Sequence, residues 1–402
     1  MSKVGIEAVS VYAPKTYVEL ADLAAARGVE YAKFRAGLGQ EQMAVTPPDE
    51  DPVTMAVHAA LPLIDADVRR RLQAVIVASE SGVDASKAMA VFVHGLLGLP
   101  ADCLAWDVRQ ACAGSTAAVI QAQALVQSRP GSAVLVIATD EAVYDLASPG
   151  EPTQGAGACA VLVSEQPKLV AFGESWYADT RDVNDFWRPP ERRTALVDGR
   201  LSVATYLSAL KACRAQLPHG PGTWSRALFH LPFTRMAAKA ARVLDLPELA
   251  WHAGTIYGRQ IGNVYTASLY VSLASLLEND EEDLAGSTVG AFAYGSGATG
   301  ILHELVVSSD YRQHLRTSAH HKMIAERDCI SIAEYEAWRA LPHGGESVAD
   351  PGVVSNPPLV RYAGVEGWAR QYRFTSSSVE PDLMEDIPKG RASRTSDPRE
   401  AH

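Results

Sequence analysis

Ala133-Val134-Leu135-Val136-Ile137-Ala138-Thr139-Asp140-Glu141 opens with six apolar residues in a row and ends in two carboxylates. A run with no polar alternation marks a strand buried on both faces. Ala74-Val75-Ile76-Val77-Ala78 is a second such run, with Glu80 just beyond it. Residues 3–11, 169–172, 226–230 and 288–294 read as further strands. Helical patterns cover 18–26, 31–37, 52–64, 85–97, 117–126, 202–216, 234–244 and 263–277, the third with Pro52 at its first turn. Residues 43–50 read as a loop. Strands alternating with helices predict an α/β fold with right-handed crossovers and a parallel sheet.

The pattern restarts near Lys168. The Gly-rich turn and apolar strand at 295–307 repeat those at 154–164, each after a strand and a helix. This predicts two similar halves: an N-terminal one over 1–165 and a C-terminal one over 166–375 that includes a tail. The tail carries helices near 310–326 and 331–341 and a Gly/Pro-rich loop over 342–358. Residues 376–402, rich in Ser, Pro, Arg and Glu, are expected to be disordered.

The 402 residues suffice for a large core, and 47% are apolar against 21% charged, an ordinary globular balance. A formal net charge of -11 argues against a nucleic-acid or anionic-membrane partner. The five cysteines are odd in number, widely spread and free of any C-x-x-C pair, which suits a reducing cytoplasm better than a disulfide framework or a metal site. The first residues lack a signal-peptide pattern. No apolar run reaches the roughly 18 residues that span a bilayer.

Function in such sheets collects at the C-terminal ends of strands. Cys112, in Trp106-Asp107-Val108-Arg109-Gln110-Ala111-Cys112-Ala113-Gly114-Ser115, falls between an extended segment and an apolar helix. A helix N-terminus there favours thiolate; the alternative is a buried core cysteine. Glu80 and His230 lie at two other strand ends. Together the three fit carbon–carbon bond formation from a thioester: a nucleophile, a base and a group that orients the acyl chain. Taken singly, Glu80 is also compatible with a helix-start carboxylate, His230 with a core histidine and Asn263 with a helix N-cap. The turn Gly295-Ser296-Gly297 can place an amide or hydroxyl at a carbonyl or serve only as a hairpin. Arg235 and Lys239, four residues apart on one helix face, suit a phosphate grip or a solvated surface.

Eight segments occur in an order that resembles the 3-hydroxy-3-methylglutaryl-CoA synthase family, bacterial type, within the thiolase-like superfamily. They are Ala78-Ser79-Glu80-Ser81-Gly82-Val83-Asp84-Ala85-Ser86-Lys87, Gln110-Ala111-Cys112, Ser148-Pro149-Gly150-Glu151-Pro152-Thr153-Gln154-Gly155-Ala156, Asp185-Phe186-Trp187-Arg188-Pro189, Leu196-Val197-Asp198-Gly199, Phe229-His230-Leu231-Pro232-Phe233-Thr234, Gly262-Asn263-Val264-Tyr265-Thr266-Ala267-Ser268-Leu269-Tyr270 and Tyr294-Gly295-Ser296-Gly297. The resemblance implies a five-layered αβαβα fold and a homodimer. It also implies a ping-pong reaction of acetyl-CoA with an acetoacetyl thioester. Cys112 would carry the acetyl group, Glu80 would deprotonate its methyl and His230 would orient the acceptor. Asn263, Tyr265 and Ser296 would line the acyl pocket, and Arg235 and Lys239 would meet the coenzyme A phosphates. Coenzyme A thioesters would be substrates, with no permanently bound cofactor and no metal. Two departures bear on the acceptor: Ala113 stands where the family usually has Tyr, and Ala298-Thr299-Gly300-Ile301-Leu302-His303-Glu304-Leu305 stands where it usually has Phe-Phe-Ser-Gly. Ala113 is expected to enlarge the pocket. A branch of the family that acts on acyl groups held by an acyl carrier protein, installing polyketide β-branches, is the alternative.

Overall fold

A computed structural model describes residues 4–354 and 359–375. The expectation of a disordered tail over 376–402 lies outside the described residues. Nine strands form the central sheet: β1 (Gly5–Tyr12), β2 (Leu72–Ala78), β3 (Leu104–Val108), β4 (Ala133–Glu141), β5 (Ala156–Ser164), β6 (Val170–Thr180), β7 (Arg226–Phe229), β8 (Thr288–Gly295) and β9 (Thr299–Val307). Their spatial order is β7-β8-β9-β6-β1-β5-β4-β2-β3.

The order contains a repeat. In the first group β2 runs parallel to β4, β4 antiparallel to β5, and β5 antiparallel to β1. In the second, β7 runs parallel to β8, β8 antiparallel to β9, and β9 antiparallel to β6. Among the described residues, Gly5–Ala171 and Ile6–Val170 are the sheet pairs that join the two groups. The sheet is therefore mixed, where sequence alternation suggests a parallel one. The link before β9, residues 296–298, is too short for a crossover helix; that before β5, residues 142–155, is long enough but carries a 3-10 turn at Glu151–Thr153 in place of one, and both strands return antiparallel.

Six helices complete the layers: α1 (Pro52–Ala60), α2 (Met89–Leu96), α3 (Gly114–Ser128), α4 (Gly199–Arg214), α5 (Met236–Leu244) and α6 (Ser268–Asn279). α3 and α6 share one core with inward residues of both strand groups. α1 and α2 cover the outer face of the first group, and α4 and α5 that of the second. The result is five layers, αβαβα. β4 shows why its sequence decides this arrangement. Val134, Leu135, Val136 and Ile137 are each at most 1% exposed, and alternate ones face different cores. Full burial of such side chains contributes about 1.5–3 kcal/mol each.

Some boundaries differ from the sequence reading. The expected helix over 85–97 begins only at Met89, because Asp107 on β3 accepts from Met89 N (2.7 Å) and Ala90 N (2.9 Å). Asp84 meanwhile takes Ser86 N and Lys87 N, each at 2.8 Å, in a turn. Gln42–Val45 is a strand where a loop was expected, and it pairs with Thr16–Glu19. Val360–Glu366 and Ala369–Phe374 form a hairpin that the sequence reading does not anticipate.

Candidate active site

The strand ends converge. Cys112 precedes α3, which packs in the middle layer; Ser115 at its head donates to the Thr266 carbonyl just before α6 (2.6 Å). Gly295, at the end of β8, presses against this cysteine loop. A β-carbon there would lie 2.2 Å from the Gln110 carbonyl oxygen, so only glycine permits the approach. Gln110 Nε2 also donates to Thr299 Oγ1 (2.9 Å).

The Cys112 thiol donates to Glu80 Oε1 at 2.8 Å. Burial pushes the thiol well above its usual range, and the Glu80 charge adds to this. The resting state is thus a thiol, where the helix-terminus reading anticipates a thiolate. Burial, helped by the Asp140 charge, pushes the Glu80 carboxyl up to about 8, opposed by its bond to Cys112 and by Arg188 and Arg109. At neutral pH the carboxyl is therefore largely protonated beside a neutral thiol, and once one proton leaves, the pair can share the one that remains.

The Glu80 loop is fixed by Asp140, which is fully buried at the end of β4. Asp140 Oδ1 accepts from Ser79 Oγ (3.0 Å), Glu80 N (2.8 Å), Ser81 N (2.9 Å) and Ser81 Oγ (2.8 Å). Its Oδ2 accepts from Thr266 N (3.0 Å) and Thr266 Oγ1 (2.5 Å). One carboxylate thereby ties the base loop to the start of the α6 segment. The Arg188 guanidinium donates to the Glu80 carbonyl.

A cavity of about 450 Å³ brings Cys112, His230, Asn263, Tyr265 and Ser296 together. His230 follows β7; its amide donates to the Phe292 carbonyl (2.8 Å), and Tyr206 Oη donates to its own carbonyl (2.9 Å). Burial pushes the imidazole down to about 3, so it is neutral, and its buried Nδ1 has no partner among the described residues. A neutral ring cannot lower the thiol pKa by charge, but it can hydrogen-bond a polar ligand atom. Asn263 Oδ1 accepts from Tyr265 N (2.9 Å) in a tight turn that leads into the short 3-10 helix Tyr265–Ala267 ahead of α6. Ser296 sits on a turn held by Asp185, which accepts from Tyr294 Oη (2.7 Å) and Gly297 N (2.9 Å). Phe186 packs edge-on against Tyr144 and Tyr265, giving the cavity an aromatic wall.

Arg235 and Lys239 do not line the cavity. Arg235 is exposed beside Phe233 and Met236, which do line it, and its amide donates to the carbonyl of Leu38, another wall residue (2.7 Å). Lys239 lies over the Phe233 ring at 5.1 Å. Ala113 is also absent from the walls. It is fully buried in the middle core against Gly295, so its small size accommodates that backbone rather than enlarging the cavity. Sequence reasoning passed over Asp140 and Asp185; the signal available for Asp140 was a carboxylate at the end of a buried strand.

Five layers built from a repeated strand group, with a cysteine at the head of a middle-layer helix, define the thiolase-like class. The chain belongs to the hydroxymethylglutaryl-CoA synthase family. Residues 1–168 match the family's N-terminal region and residues 250–343 its C-terminal region. Hydroxymethylglutaryl-CoA synthase of Enterococcus faecalis is 39% identical over 350 residues, covering 84% of this chain and 91% of that protein. The polyketide biosynthesis 3-hydroxy-3-methylglutaryl-ACP synthase PksG of Bacillus subtilis is 31% identical over 374 residues, covering 84% of this chain and 88% of that protein. The structure of MvaS in complex with 3-hydroxy-3-methylglutaryl coenzyme A superposes with a TM-score of 0.85 at 35% identity, covering 93% of this chain and 99% of MvaS. That of the curacin pathway HMG synthase in complex with apo donor-ACP gives 0.84 at 29%, covering 93% and 100%.

Proposed function

We propose that the protein is a 3-hydroxy-3-methylglutaryl-CoA synthase, an acyltransferase whose acyl group becomes alkyl on transfer. The observation that carries this reading is the 2.8 Å contact of Cys112 Sγ with Glu80 Oε1 at a cavity that His230 also lines. Cys112 sulfur attacks the acetyl-CoA carbonyl as its proton passes to Glu80, and the C–S bond to coenzyme A breaks. Glu80 returns that proton to the departing thiolate. As carboxylate, Glu80 then removes a proton from the acetyl methyl. The carbanion forms a C–C bond with the β-keto carbon of the acceptor, which the neutral His230 orients through its carbonyl oxygen. The new alkoxide takes up the proton held by Glu80. Water then cleaves the Cys112 thioester, releasing the new carboxylate and restoring the thiol. Asn263, Tyr265 and Ser296 line the acyl site in this reading. Coenzyme A thioesters are substrates, and neither a bound cofactor nor a metal takes part. Homodimers are part of the same proposal; the solution mass by light scattering reads this out. Among the described residues, no helix is long and apolar enough to cross a membrane.

Mass spectrometry after incubation with acetyl-CoA is the direct test. Wild type is expected to gain one acetyl group on Cys112, and Cys112→Ala none. No acylation by any short acyl thioester would reject the reading.

One observation favours a carrier-protein acceptor as a second reading. Arg235, just before α5, and Lys239 on α5 put two cations beside the wall residues Phe233 and Met236 of a protein that is otherwise acidic. They suit the phosphates of coenzyme A, but also an acidic carrier surface. Faster turnover of acetoacetyl carrier protein than of acetoacetyl-CoA would select this second reading; the reverse preference would select coenzyme A.

A further inference from the structure

A second cavity, of about 390 Å³, lies behind the Glu80 loop, between Ser81-Gly82-Val83 and the C-terminal hairpin. Arg188, Arg193, Arg339 and Arg370 line it. Arg370 is neutralised by Asp51 (3.0 Å). The other three have no carboxylate in ion-pair contact among the described residues. Arg193 is half-buried and donates only to the Arg339 carbonyl (2.8 Å). Arg339 donates to Gln154 Oε1 (2.9 Å), Tyr335 Oη (3.3 Å) and the Tyr144 carbonyl (2.7 Å), and its Nε–H is buried with no acceptor. Arg188, unlike these two, is exposed, and it donates only to the Glu80 carbonyl.

The acids on the same walls do not cancel them. Asp350 is taken by Arg361 and Arg373. Glu50 hydrogen-bonds Tyr12 Oη (2.8 Å), and burial pushes it up to about 8, so it is largely neutral at pH 7. Glu141 remains, one carboxylate facing three guanidiniums. Half-buried guanidiniums are costly when unpaired, and their planar donors match oxyanions. The surplus is close to two positive charges, in a chain of net charge -11.

We infer that this second cavity is a binding site for a small dianion, a phosphate or a short dicarboxylate, held by Arg193 and Arg339 with Arg188 at its edge. The site is separate from the cation group near the acyl cavity mouth, and it stands whether or not the proposed condensation is right. Because Arg188 also holds the Glu80 carbonyl, the bound anion would abut the loop that carries the base.

The test titrates full-length protein with inorganic phosphate and, separately, with succinate, at constant ionic strength set by chloride. Thermal shift and calorimetry are the readouts. A saturable rise in melting temperature is expected in wild type. Arg193→Gln is expected to weaken binding about tenfold or more, the loss of one charge-assisted contact. Arg193→Lys retains part of the binding, which separates charge from folding effects, and Arg235→Gln/Lys239→Gln leaves it unchanged. Saturation by phosphate alone assigns a tetrahedral oxyanion, and by succinate alone a dicarboxylate; both support the site. Absence of saturable binding by either anion would overturn it, as would binding lost in Arg235→Gln/Lys239→Gln and kept in Arg193→Gln.

Discussion

Glu80→Ala is expected to retain acetylation of Cys112 and lose condensation, with the second half-reaction slowed on the order of 10²–10⁴-fold, the usual worth of a positioned base. The substitution removes the nearest negative charge from the sulfur, one of the causes that hold the thiol high. Thiolate therefore forms more readily, while no group remains to take the methyl proton. The pH dependence follows from the same carboxyl. Its pKa is raised to about 8, and only the carboxylate can accept the proton. Condensation in wild type should therefore rise with pH through about 8 and level off above it. Single-turnover kinetics on preformed acetyl-enzyme read both effects. Condensation retained in Glu80→Ala, or a rate that falls over that pH range, would remove Glu80 from this role.

The second large effect concerns stability. Asp140→Ala leaves the half-buried amide of Glu80 and the buried amide of Thr266 without their acceptor, while Ser81 N keeps Ser79 Oγ (2.9 Å). An unmet buried donor costs about 1–3 kcal/mol. The combined loss is on the order of 4 kcal/mol, a large part of the roughly 5–15 kcal/mol that holds a domain together. A urea midpoint shifted well down is the expected result. Asp140→Asn, which keeps one acceptor oxygen, should lose less. Folded Asp140→Asn should still acetylate Cys112 but condense slowly, because the loop carrying Glu80 is no longer pinned. An unchanged urea midpoint for Asp140→Ala would show that the six contacts carry little.

The sequence made the layers legible where burial is total. Residues 74–78 and 133–139 are read as strands because both of their faces meet a core, and continuous apolar runs have few other uses. Residues 85–97 misled because Ala, Lys and Met favour a helix locally, while a distant carboxylate, Asp107, sets the actual start at Met89. Strand direction was misread because the link before β9 has only three residues and the longer link before β5 carries a 3-10 turn in place of a crossover helix. At the site, Glu80, Cys112 and His230 stand at strand ends, a position visible in one dimension. Asp140 also stood at a strand end, but its work is to gather amides from 60 and 126 residues away, which no local pattern records. The second cavity escaped for a similar reason. Its arginines come from three separate stretches of chain, and only the fold shows that three of them have no ion-pair carboxylate among the described residues.

Within the central sheet the two strand groups are joined by only two residue pairs among the described residues. Cys112 and Glu80 belong to the first group; His230, Asn263 and Ser296 come from the second. A small sliding of one group against the other would leave the thiol–carboxylate contact intact and change where the acceptor sits. The molecule thus separates loading from aiming, as a vice holds the work on one jaw and adjusts with the other. Substitutions along the sheet seam are expected to alter acceptor preference more than acetylation of Cys112, which separate measurement of the two half-reactions reads out.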